Sequence, residues 1–327
     1  MLPILSFIYD LHDSNFNRNT EPPSAWIGFD NDIDIRFRLV QTDRPPVKAR
    51  FSGQMAYDAG YAEDEHPRRQ FMRKNHLKQK LDSGQAALGI WAVLGSEVTA
   101  SVAGPLGFDW ILMDAEHGIL DTEGAIALIP HAQHETCTRL IRVPGATDTS
   151  LFKRVLDMGF EGVLVPQIRS AREVREVVSA CRYPPDGQRG IASQRAHGYG
   201  LEFEEYLAQA NRETLVLVQI ETTEAIENIE EILTVNGLDG VFVGPADLSA
   251  ALGVHGDPEA PVLVETIARI LQAAQAAGKP AGIYARSPED ATQRVRSGFR
   301  FVNIANDQSL LVRGMRAARE AVPEDLD

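Results

Sequence analysis

From about Asp82 onward the chain repeats one pattern: a short apolar run, a polar turn, then an amphipathic segment with apolar residues at helical spacing. The runs are Leu88–Gly95, Asp109–Asp114, Arg139–Val143, Gly162–Ile168, Leu215–Glu221, Gly240–Gly244, Ala281–Ala285 and Arg300–Ala305. Short, nearly continuous apolar runs predict strands buried on both faces, as parallel strands are when helices cross over them. Helical patterns such as "SAREVREVVSAC", "TEAIENIEEIL" and "VLVETIARILQAAQAAG" fill the gaps, and turns such as "DMGFEG" and "VNGLDG" lead from helix to strand. Eight such units predict an α/β fold, a (β/α)8 TIM barrel.

The chain has 327 residues, 44% of them hydrophobic, which is enough for one large barrel with a full core. That barrel is expected over residues 72–327. Residues 1–71 lack sustained periodicity and are rich in Pro, Asn and Arg. They read either as an irregular or disordered extension or as non-native sequence translated upstream of a start at Met72. The formal charge is −14. The one basic stretch, "HPRRQFMRKNHLKQK", reads as a solvated helix or tail, so no nucleic-acid partner is expected. Two cysteines without metal-ligand spacing fit a reducing, cytoplasmic setting. No apolar run has the length of a membrane span, and "MLPILSFIYDLHDS" lacks the basic start and cleavage site of a signal peptide.

The stretch "LVLVQIETTEA" begins as a buried strand and then spends two inward positions on Gln219 and Glu221. Residues two apart share a face, so a carboxamide and a carboxylate enter one space, and a buried carboxylate needs a cation, a metal or a proton. The plainer alternative is a wet strand end with Glu221 capping the next helix. Other predicted strands end in the same way: "MDAEHG" delivers Asp114, Glu116 and His117, and Arg142, Gln167 and Asp247 follow at strands three, four and six. Barrel chemistry sits at the C-terminal ends of the strands, so this joint placement points to a site. Glu221 and Asp247, from adjacent strands, suit a hard divalent cation with open positions. The amides of Ala246 and Asp247, opening a helix, suit an anion, and together they suit a 2-oxo acid. From Asp82 onward the only lysines are Lys153 and Lys279, neither at the C-terminal end of a predicted strand, which argues against an imine mechanism. The last two loops lack the glycines of a phosphate site.

The motifs "DWILMDAEHG", "RVP…KRVLDMG…LVPQI", "QIETTEAIENIEEI" and "GVFVGPADLS" closely resemble the HpcH/HpaI family of metal-dependent, class II pyruvate aldolases, and the likeness runs from about Met72 to the C-terminus. The resemblance implies cleavage of 4-hydroxy-2-oxo acids to pyruvate and an aldehyde, with Mg²⁺, Mn²⁺ or Co²⁺ held by Glu221 and Asp247. It implies that Gln219, Ala246 and Asp247 bind substrate, that Arg142 steadies the enolate oxygen, and that His117 is the base, made more basic by Asp157. The spacing from Arg142 to Asp157 is one residue longer than usual in that family. The resemblance also implies a homo-oligomer, a hexamer with exchanged C-terminal helices. Rival expectations are a CoA-thioester lyase of the citrate lyase β-like branch, an oxaloacetate decarboxylase like macrophomate synthase, and a non-enzymatic scaffold. The long stretch Cys181–Thr214 between strands four and five is expected to be a lid or wall of the site. Its Arg189, Arg195 and His197 are expected either to meet the tail of the substrate or to be solvated.

Overall fold

The computed structural model describes residues 74–323, so the expectation for residues 1–71 lies outside the described residues. Eight strands, β1 (Ala87–Ala92), β2 (Trp110–Asp114), β3 (Thr138–Arg142), β4 (Gly162–Val165), β5 (Leu215–Ile220), β6 (Gly240–Val243), β7 (Ala281–Tyr284) and β8 (Phe301–Asn306), pair in parallel in chain order, and β8 closes on β1. The described helices are α1 (His76–Asp82), α2 (Glu97–Val102), α3 (Thr122–Ala127), α4 (Thr149–Asp157), α5 (Ala171–Cys181), α6 (Phe203–Glu213), α7 (Thr223–Glu227), α8 (Ile229–Leu233), α9 (Pro245–Ala251), α10 (Pro261–Ala276), α11 (Pro288–Ser297) and α12 (Asp307–Glu320). Most strands stop earlier than their apolar runs. Ile168, for example, is fully buried yet lies past the end of β4, because burial continues into the loop after pairing has ended. "TEAIENIEEIL" breaks into α7 and α8 at Asn228, whose φ and ψ of −99° and 13° leave the helix while its side chain donates to Arg169 O at 3.0 Å.

Inward residues from alternate strand positions fill the barrel. Trp110, Leu112, Leu140, Leu164, Leu215, Leu217, Phe242 and Phe301 form one buried cluster. Large rings fit because facing positions are small: a Cβ at Gly89 would lie 2.0 Å from the Trp110 ring, and one at Gly282 would lie 2.4 Å from Phe301. Leu77 and Leu81 of α1 belong to the same cluster, and Asn75 ties that helix to the bottom of the barrel by donating to Glu213 Oε2 at 2.9 Å and Glu161 O at 3.0 Å. The N-terminal end of the barrel is therefore plugged and the C-terminal end carries the polar side chains. Outside the strands, a second and larger apolar layer joins them to the helices. Among the described residues no helix is long and apolar enough to cross a membrane.

The long stretch between β4 and β5 differs from expectation. Helix α5 follows β4 almost at once, with Ser170 as its N-cap, so the excursion comes after the helix and starts at the N-terminal end of the barrel. Arg182 fixes it there, donating to Thr214 O at 2.7 Å and Gly237 O at 3.0 Å and pairing with Asp239 at 2.8 Å. Arg189 and His197 lie in its interior, both 2% exposed, and Arg195 is half-buried. The His197 ring links Ala192 O, Gln194 N and Gly200 N, which makes it a staple of the loop.

Candidate active site

At the open end of the barrel the site begins with Asp114, the last residue of β2. Its Oδ1 accepts from the backbone N–H groups of Glu116 at 3.1 Å and His117 at 3.2 Å, a side-chain turn that shapes the loop carrying both residues. Gly118 completes that turn, because a Cβ there would sit 2.0 Å from Asp114 O. On β3, paired with Asp114 in register, Arg142 donates through Nε to Asp114 Oδ1 at 2.9 Å and through Nη2 to Oδ2 at 2.5 Å. Its Nη1 lies 3.0 Å from Glu116 Oε2 and 3.5 Å from Gln219 Oε1. The guanidinium carbon stands 4.2 Å from the centre of the Trp91 ring, at the end of β1.

Gln219 joins the arginine to the acidic half of the site. Its Oε1 faces Arg142, and its Nε2 donates to Glu221 Oε2 at 2.6 Å. The other Glu221 oxygen accepts from the Gln167 backbone N–H at 2.8 Å and side chain at 3.2 Å, with Gln167 held at φ 56°, a left-handed conformation unusual for a residue with a Cβ. Glu221 does not cap α7; Thr222 does, accepting from Ala225 N at 3.0 Å. Burial pushes the Glu221 carboxyl up to about 7 against the Gln167 N–H, and the Asp247 and Glu116 carboxylates add to the rise while Arg142 opposes it. Glu116 is likewise raised, chiefly by burial, against the attraction of Arg142 and His117.

The two acidic strand ends meet beside Gly244. A Cβ at that position would lie 2.8 Å from Glu221 Oε2, 3.1 Å from Gln219 Nε2 and 3.8 Å from Asp247 Oδ2, so three functional groups converge where glycine leaves room. Asp247 and Ala246 are exposed in the first turn of α9. Among the described residues there is no metal-competent cluster of three or more His, Cys, Asp and Glu. The Glu221 and Asp247 carboxylates, the pair expected from the sequence to hold a hard cation, stand together here, and two such donors would leave most positions of a cation to water or substrate oxygens.

Two residues named from the sequence stand apart. His117 is exposed, with a side-chain accessibility of 68%, and its Nε2 lies 3.9 Å from Glu116 Oε2. Asp157 ends α4, which runs back from the rim, so it lies toward the N-terminal ends of the strands, and its carboxylate accepts from Arg189 Nη2 at 2.6 Å. Sequence reasoning assigned no role to Trp91 and no clamp to Asp114. The clamp was legible, since an Asp three residues before His117 at a strand end is a turn-forming position; the stacking was not.

A closed parallel barrel with an acidic pair, a buried arginine and an imidazole at the C-terminal ends of its strands defines a barrel enzyme. Residues 87–314 match the HpcH/HpaI aldolase/citrate lyase family. The chain belongs to that family and is a carbon–carbon lyase of the aldolase type. It is 39% identical over 240 residues to a 4-hydroxy-2-oxovalerate aldolase of Rhodococcus jostii, covering 73% of this chain and 92% of the relative. It is 38% identical over 244 residues to a hydroxypyruvate/pyruvate aldolase of Roseobacter denitrificans, covering 73% and 93% of the two chains. The crystal structure of an HpcH/HpaI aldolase/citrate lyase family protein from Burkholderia cenocepacia superposes with a TM-score of 0.72 at 34% identity, covering 76% of this chain and 98% of that one.

Proposed function

We propose that this enzyme reversibly cleaves 4-hydroxy-2-oxo acids to pyruvate and an aldehyde, with a divalent cation held by Glu221 and Asp247. The observation that carries this reading is the convergence of Glu221, Gln219 and Asp247 beside Gly244, next to Arg142. The donor set fits a hard cation: the Asp247 carboxylate is close enough to disfavour charge on Glu221, and among the described residues no basic side chain forms an ion pair with the buried Glu221. Bound there, Mg²⁺, Mn²⁺ or Co²⁺ supplies Lewis-acid stabilisation of negative charge on substrate oxygens.

The chain's own groups do the rest. Asp114 and Gln219 accept from three of the five N–H donors of Arg142, and Glu116 pairs with its Nη1 by charge, which leaves an Nη2 N–H for the 2-oxo oxygen, where charge develops as the enolate forms. Gln219 is fixed at both ends of its amide, and the Ala246 and Asp247 amides in the first turn of α9 face the substrate carboxylate. His117 takes the 4-hydroxyl proton as the C3–C4 bond breaks; C4 becomes the aldehyde carbon and the electron pair passes to the pyruvate enolate. The same imidazole then returns the proton to C3. Asp157 in this reading serves the fold as the partner of Arg189.

Assembly is part of the reading. Leu310–Glu320 of α12 are exposed throughout, including Leu310, Leu311, Val312 and Met315, an apolar surface that supports subunit contact through this helix in a homo-oligomer.

The test is a screen of 4-hydroxy-2-oxo acids for pyruvate release with Mg²⁺, Mn²⁺, Co²⁺ and EDTA. Cleavage is expected to vanish in EDTA and return with a divalent ion. Full activity in EDTA, or a pyruvate imine trapped by borohydride, sinks the proposal.

A further inference from the structure

Resting on that reading, we infer that Trp91 is the positioning residue of Arg142: the face of its indole carries the guanidinium and keeps the substrate-facing N–H aimed into the site. The hydrogen bonds from Arg142 to Asp114 and Gln219 hold edges of the guanidinium plane, the Gln219 contact is long, at 3.5 Å, and Glu116 adds only an ion pair to Nη1 at 3.0 Å. Edge contacts resist sliding within the plane. They do little against tilting out of it, which would swing the free Nη2 hydrogen away from the substrate. The Trp91 ring supplies the missing support, with the guanidinium carbon 4.2 Å from its centre, near enough for a desolvated cation–π contact.

The ring is itself braced. It stacks on Phe242 at 5.8 Å with an interplanar angle of 29°, and it meets Tyr284 edge-on at 5.6 Å and 89°. Trp91 is 6% exposed, and its Nε1 is buried with no acceptor among the described residues. A side chain chosen only to fill the barrel would be Phe or Leu, which bury no uncompensated donor; Trp brings the strongest π face. Asn303, fully buried in β8, lies by the Tyr284 hydroxyl and does not accept from the indole N–H. Among the described residues the ring is held through its face and not through its N–H.

The experiment measures kcat and KM for 4-hydroxy-2-oxo acid cleavage and for oxaloacetate decarboxylation in the metal-loaded enzyme. It compares Trp91→Phe, which keeps a π face, with Trp91→Met, which fills with none, and uses Arg142→Lys as the benchmark. Trp91→Met is expected to lower kcat about tenfold in both reactions, with KM changed less than about threefold, and Trp91→Phe to recover most of the loss. Site-specific fluorotryptophans at position 91 weaken the π face with little change of shape, so they report even if Trp91→Met fails to fold. Here kcat should fall stepwise with each added fluorine. A flat fluorine series, or equal activity of the Phe and Met variants, overturns the role of Trp91. If Arg142→Lys is as active as the parent enzyme, the assignment of Arg142 itself falls, and this inference with it.

Discussion

Two arginines are buried in this barrel in nearly the same company. Arg142 lies over Trp91 at 4.2 Å and Arg189 over Tyr183 at 4.4 Å; each is paired with an aspartate, Asp114 or Asp157, and each is at most 5% exposed. Their surroundings separate them. The remaining acceptors of Arg142 are Glu116 and Gln219, whose other contacts are His117 and Glu221, so every bond leads further into the site. Arg189 reaches only the Tyr206 hydroxyl, at 3.1 Å, and its Nε and Nη1 end against the interior with no acceptor among the described residues. A buried ion pair over an aromatic ring is thus no signature of function. What distinguishes the two is the end of the barrel they occupy: the C-terminal ends of the strands open to substrate, while the excursion that holds Arg189 starts at the plugged end.

The contrast breaks first on stability. Arg189→Met leaves Asp157 buried without a counter-charge and should cost about 3–5 kcal/mol, a drop in Tm on the order of 10 °C, with turnover per folded molecule little changed. Thermal melts beside active-site titration check this, and replacing Asp157 with Leu in the same chain should restore much of the loss. A parent-like melt for the single variant would mean the pair is no staple.

The second difference is catalytic. Arg142→Lys keeps the charge but loses the planar fork, the bidentate hold on Asp114 and the ring contact. Turnover in both cleavage and decarboxylation is expected to fall about 100-fold, the effect of losing an oxyanion donor. Steady-state rates near those of the parent would place the electrophilic group elsewhere.

The smallest effect sharpens the boundary of the site. Gly244→Ala puts a methyl 2.8 Å from Glu221 Oε2 on a backbone that tolerates it, at φ −95° and ψ 93°. Displacing Glu221 and Gln219 by a few tenths of an ångström should lower turnover about tenfold and weaken divalent-metal affinity, with the melt nearly unchanged. Calorimetric titration with Mn²⁺ reads the affinity directly, and an unchanged isotherm would detach Gly244 from the cation pair.

Much of this was legible in the chain. The eight apolar runs named the eight strands, because strands buried on both faces leave a continuous apolar signal that turns interrupt. Gln219 and Glu221 stood out because polar residues had displaced apolar ones on the inward face of a strand, and that face is where the site lies. The excursion was misplaced for a physical reason. Its length and its place after the helical pattern Ser170–Cys181 were visible, but the expectation of a lid or wall did not follow the helix back: α5 begins soon after β4 and carries the chain toward the N-terminal ends of the strands before the excursion starts. Arg189 and His197 were expected either to meet substrate or to be solvated, because charge and imidazole do not reveal burial by themselves; their partners, Asp157, Tyr206 and three loop backbone groups, come from other segments or from the folded-back loop.

The sequence by itself determined the barrel, the order of its strands and the rim on which the polar residues stand, since periodicity and strand-end position are local properties of the chain. Only the tertiary structure decided which of those residues work together. Arg142 meets Trp91 because β1 and β3 aim side chains into one enclosed space, and Glu221 meets Asp247 because Gly244 carries no side chain between them. Asp157 joins Arg189 because α4 carries it back toward the N-terminal ends of the strands. Such contacts are made between segments far apart in the chain, and closure of the barrel sets their distances.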